Sequence, residues 1–167
     1  MNTLEGADFY GQTIFCDDAR HELGGKISLI GIYTERMYVH GDFPFLLPKF
    51  ALYVTCVQRH RALKHISKFA VFLPGDEDDG KPSIESNYGE SQFAEALDKA
   101  KKEPTKHGVF QASAVIALTP LVIPQAGFIR VRAVRDDEQM IRCGIMQVEQ
   151  HPEFLAQKQH AEAADQK

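Results

Sequence analysis

Four polar residues within six positions, Asp17, Asp18, His21 and Glu22, form the sharpest candidate for chemistry in this chain. Carboxylate oxygens with an imidazole nitrogen suit a divalent cation, and a carboxylate–histidine pair suits proton transfer. On that reading the chain is a metal-binding protein or a metal-dependent hydrolase. The plainer reading is structural and is preferred. Asp17 and Asp18 stand where a strand is expected to turn, Asp side chains bond turn N–H groups, and Arg20 can pair with Asp17 or Glu22.

A second group is cationic. Arg130 and Arg132 alternate along an expected strand and so project from one face, and Arg142 joins them from the next strand. Guanidinium groups in a stripe suit phosphate or an acidic partner. They also suit a sheet edge protected by charge, the reading preferred here. Two acidic runs, Asp76 to Asp79 and Asp136 to Glu138, could share a Ca²⁺ ion if both lay at one end of the fold. The loop Arg59 to His65 is basic, and the strand after it leads to the first acidic run; two unrelated surface loops is the preferred reading, and an electric polarity along that strand the alternative. Cys16, beside Asp17, reads as a small core residue rather than a nucleophile. Nucleophile elbows, phosphate-cradling glycine loops, Cys-x-x-Cys and His-Glu-x-x-His are all missing from the sequence. No catalytic residue and no cofactor are therefore assigned.

The elements that position these residues are mostly strands. Thr13 to Asp17, Lys26 to Tyr33, Lys49 to Gln58, Ile66 to Leu73 and Val109 to Leu118 are apolar and β-branched. Phe128 to Arg135 and Met140 to Gln150 flank the polar tip Asp136-Asp137-Glu138, with Ile129, Val131 and Ala133 on one face. That pattern is a β-hairpin. Ser91 to Glu103 is the best helix, with Phe93, Leu97 and Ala100 at helical spacing and Pro104 as its stop. Gly41 to Pro48 is a loop whose Phe43, Phe45, Leu46 and Leu47 pack back on the domain or offer a contact patch. About seven or eight strands that do not alternate with helices predict a mainly β fold. The expected form is an antiparallel two-sheet β-sandwich, immunoglobulin- or C2-like, with one short inserted helix near 91–103 and a barrel as the alternative. Residues 1–150 form the expected domain and 151–167 a polar tail or frayed helix.

Composition agrees with an ordinary globular chain: 167 residues, 44% hydrophobic, 25% charged and a net charge of −4. The acidic balance makes nucleic acid an unlikely partner. No apolar run approaches the roughly 18 residues of a membrane helix, and Met1 to Asp8 lacks the pattern of a signal peptide. Three separated cysteines, Cys16, Cys56 and Cys143, read as free buried thiols in a reducing cytoplasm.

The segment Phe15-Cys16-Asp17-Asp18-Ala19-Arg20-His21-Glu22, then Gly25-Lys26 and Gly31, resembles the opening of a family of small uncharacterised bacterial proteins. Those proteins read Cys or Ala, Asp, x, x, Arg, x, Glu, then Gly-Lys, four residues and Gly. The closing stretch from Gly127-Phe128-Ile129-Arg130-Val131 is similar to that family's last hairpin. The resemblance implies a bacterial, cytoplasmic β fold and carries no activity with it. The expected function is a binding or assembly module for a protein partner, including a second copy of itself, with the metal reading as the alternative.

Overall fold

The computed structural model describes residues 8–87, 97–102 and 108–165. Its strands form two main sheets. The first has the order Lys26–Ile32 (β2), Phe9–Glu22 (β1), Phe50–Arg59 (β5) and Val109–Leu118 (β8), antiparallel throughout. The second runs Arg36–Val39 (β3), Met140–Gln150 (β11), Gly127–Arg135 (β10), Ile66–Phe72 (β6) and Ile84–Asn87 (β7). A two-stranded ribbon pairs Phe45–Leu47 (β4) with Leu121–Ile123 (β9). The fold is therefore the mainly β sandwich expected, with two differences. The described residues hold eleven strands in place of the seven or eight counted from sequence, the extra ones being short. One pair, β3 with β11, is parallel.

Strand alternation builds the core. In β5, Phe50, Leu52, Val54 and Cys56 point inward and are buried, while Tyr53, Thr55 and Val57 on the other face are half-buried. In β10 the inward set is Ile129, Val131 and Ala133, as their spacing predicts. Gln58 ends the inward row of β5 at 0% exposure. Its amide is satisfied by one backbone residue, donating to Lys64 O at 2.8 Å and accepting from Lys64 N at 3.2 Å. Phe43, Phe45 and Leu47 pack against the core, so the apolar loop is spent inside the fold and only Leu46 is left outward, 56% exposed. The inserted helix is described over 97–102, where Leu97 is buried. The remainder of Ser91 to Glu103 lies outside the described residues.

The residues after His151 form a helix, Pro152–Asp165, the helical one of the two forms expected. Three contacts seat it. His151 N donates to Val39 O at 2.9 Å, the His151 ring stacks on His40 at 4.2 Å, and Lys158 Nζ meets Asp42 Oδ1 at 2.6 Å. Lys158 holds the Asp42 carboxyl below its ordinary pKa. The contact is therefore intact above the usual carboxylate range and is lost only as pH falls through the lowered value. Lys158→Ala is expected to speed amide exchange along 153–164 severalfold while exchange in the two sheets stays unchanged. Equal rates in variant and wild type would show that the ion pair does not seat the helix. No helix among the described residues is long and apolar enough to cross a membrane.

Candidate anion-binding cleft

Asp17 and Asp18 do not lie in a turn. Both are inside β1, which continues to Glu22 in a hairpin with β2 and turns at Gly24 and Gly25, with φ of 78° and 73°. Successive strand residues face opposite ways, so Asp17 and His21 share one face while Asp18 and Glu22 share the other. Residues four apart on a strand are separated by roughly 13 Å, too far for one ion. Among the described residues no three His, Cys, Asp or Glu side chains gather as a metal site. Each aspartate has a local partner instead. Tyr33 Oη donates to Asp17 Oδ1 at 2.6 Å, and the Asp17 carboxyl lies over Gly31, whose φ of 67° and missing Cβ make the room. Asp18 accepts from Arg20 Nε at 3.1 Å, which with Lys49 at 3.9 Å lowers its pKa. Arg20 thus pairs with Asp18, two positions away on its own face, and not with Asp17 or Glu22. Cys16 is buried, its Sγ donating to Ala51 O at 3.5 Å, and burial raises its pKa, the opposite of an activated nucleophile.

The arginines behave differently. Arg130 and Arg132 are on β10, which is flanked by β11 and β6 and is not an edge, so edge protection is not their role. A β-bulge brings Arg142 to them. Val131 pairs with Gly144 and Arg132 with Arg142, leaving Cys143 as the extra residue of β11. Arg132 and Arg142 are therefore directly opposite, on one face of the sheet. Beneath Arg130 and Arg132 lies Phe72, 1% exposed, with guanidinium carbons 5.4 Å and 4.6 Å from its ring centre.

The acidic run Asp76 to Asp79 folds over the same place. Asp76 is consumed by the backbone: its carboxylate accepts from Leu73 N at 2.8 Å, Ser83 N at 3.0 Å and Ser83 Oγ at 2.9 Å. Asp78 faces the arginines. Arg130 Nη1 donates to Asp78 Oδ1 at 3.0 Å, Arg132 Nη2 to the same oxygen, and Arg132 Nη1 to Asp78 O at 2.7 Å. Arg130 Nη2 donates to Asp76 O, and Arg130 Nε is buried without a partner among the described residues. Arg142 is exposed and has no ion-pair partner among the described residues. Between these groups opens a cleft of about 410 Å³, lined by the three arginines, Asp78, Gly11, Val131 and residues 143–145. Among the described residues, three guanidiniums thus face one carboxylate.

The two acidic runs are at opposite ends of the fold. In the antiparallel β6–β10 pair, Arg130 is opposite Phe72 and Arg135 opposite Ile66, so the 76–79 loop and the 136–138 tip lie one strand length apart. They cannot share a Ca²⁺ ion. The tip sits instead on the basic loop, with Asp136 3.1 Å from His65 Nδ1 and Asp137 3.3 Å from Arg135, and this opposes the alternative of a polarity along β6. Gly11, Gly144 and Ile145 are cleft residues that the sequence does not single out, and Asp78 stands out there only as a member of an acidic run. The only hint was an acidic run and an Arg-x-Arg pair of complementary charge, about fifty residues apart.

The model of a family of unknown function, DUF6941, matches residues 12–146, and the chain belongs to that family. The matched stretch contains Asp78 and all three cleft arginines and ends before the C-terminal helix. No curated protein and no solved structure matches the chain.

Proposed function

We propose that the protein is a binding module whose arginine cleft takes an anionic group, a carboxylate or a phosphate, presented by a protein partner. The observation that carries this reading is the convergence of Arg130, Arg132 and Arg142 on one cleft that, among the described residues, offers a single carboxylate in return. Guanidinium forks match the planar oxygens of such groups, and Arg142 and Arg130 Nε retain donors that Asp78 does not occupy. The reducing cytoplasm remains the compartment we favour, supported by three free, buried thiols.

The test is titration of the purified protein with inorganic phosphate and, in parallel, with acetate, followed by chemical shift changes in β10 and β11. Arg142→Ala is expected to weaken the bound anion about tenfold, the scale of one charge-assisted hydrogen bond. Because Arg142 is exposed, the melting temperature should not move. Binding in the wild type should also weaken as salt rises. Absence of binding for both anions, or equal affinity in variant and wild type, would remove the reading.

A further inference from the structure

We infer that Cys56 and Cys143 are an oxidisable pair, in which a peroxide converts the two thiols to one disulfide tying the first sheet to the second. Cys56 is on β5 and Cys143 on β11, 87 positions apart, yet their Sγ atoms face each other at 3.7 Å in the core. Both residues are almost fully buried, so each sulfur is held facing the other. The approach is built into the backbone. Cys143 is the extra residue of the β11 bulge, and Gly11 supplies the space its sulfur occupies. Cys16, the third thiol, is held apart by its bond to Ala51 O.

The two thiols are not equivalent. Their mutual hydrogen bond raises the pKa of Cys56, with burial adding to it, and lowers that of Cys143. Cys143 is also one of the residues lining the arginine cleft, and this is the side from which a small neutral peroxide approaches it. The steps balance. The Cys143 thiol gives its proton to water, its sulfur attacks one peroxide oxygen, and the O–O bond breaks to release hydroxide, which is protonated to water. Cys143 is then a sulfenic acid. The Cys56 sulfur attacks Cys143 Sγ, the S–O bond breaks, and the departing hydroxide takes the Cys56 proton. Two thiols lose two electrons, one peroxide gains them, and two waters form. Closing the bond brings the sulfurs from 3.7 Å to about 2.0 Å. This chemistry does not require that the cleft bind an anion, and its test reads thiols alone.

The experiment treats the folded full chain with hydrogen peroxide, then quenches, denatures, alkylates and maps peptides by mass spectrometry. Free thiols should fall from three to one, with Cys56 joined to Cys143 and Cys16 alkylated. Cys16→Ser should leave the cross-link unchanged. Cys56→Ala, or Cys56→Ser if the alanine variant does not fold, should stop at the sulfenic acid and take one dimedone adduct on Cys143. Three alkylated thiols under conditions that oxidise free cysteine would overturn the proposal. So would a cross-link to Cys16, one formed only in denaturant, or Cys143 carried to sulfinic acid with Cys56 still free.

Discussion

Gly11→Val is expected to destabilise the protein by about 3 kcal/mol, the upper range for forcing atoms into a packed core. A Cβ at Gly11 would overlap Cys143 Sγ and lie 3.1 Å from Cys143 Cα, so backbone as well as side chain would have to move. A Cβ at Gly144 would likewise lie 2.9 Å from Thr13 Cβ. Two glycines thus allow β1 to rest directly on the bulge of β11, where the sheets meet beside the cleft. Gly24→Ala is the control. Nothing lies within 4 Å of its Cβ position, and only the positive φ of 78° counts against it, at about 1 kcal/mol. Denaturant unfolding of both variants decides the matter. If Gly11→Val unfolds at the wild-type midpoint, the close approach of β1 to β11 is not a packing constraint.

Asp78→Ala is expected to lower stability by about 2 kcal/mol and to raise anion affinity, two effects of opposite sign. Arg132 is 7% exposed and loses its only carboxylate partner among the described residues, and an uncompensated buried charge is costly. The figure is below the full buried-pair value because the Asp78 side chain is 53% exposed and water can replace part of what it supplies. The same change removes the internal competitor for Arg130 and Arg132, so phosphate should bind severalfold more tightly. Asp78→Asn keeps an acceptor oxygen and should fall between. Thermal melts with and without phosphate separate the effects: the variant should melt lower alone and gain more from phosphate than the wild type. A variant that loses both stability and affinity would mean that Asp78 arranges the arginines and does not compete for them.

Alternation within a short stretch is enough to specify the β10–β11 hairpin. The spacing of Ile129, Val131 and Ala133 assigns the buried face, and the polar tip 136–138 sets the turn. Burial of Cys16, Cys56 and Cys143 follows in the same way from their apolar neighbours. The extent of β1 does not follow. Its outer half, from Asp17 to Glu22, pairs only with β2 and is largely exposed on both faces, so it carries no alternation and reads as a turn. Backbone pairing, which any side chain permits, makes it a strand. The cleft is further still from what local pattern can reach. Arg130 and Arg132 share a face by period two, but whether that face lies at an edge depends on β6, some sixty residues earlier. Arg142 joins them only because a single extra residue, Cys143, shifts the register. Asp78 meets Arg130 and Arg132 across more than fifty residues, and Cys56 meets Cys143 across 87. Contacts at that separation are chosen by how the two sheets pack, because the chain between them imposes no spacing of its own.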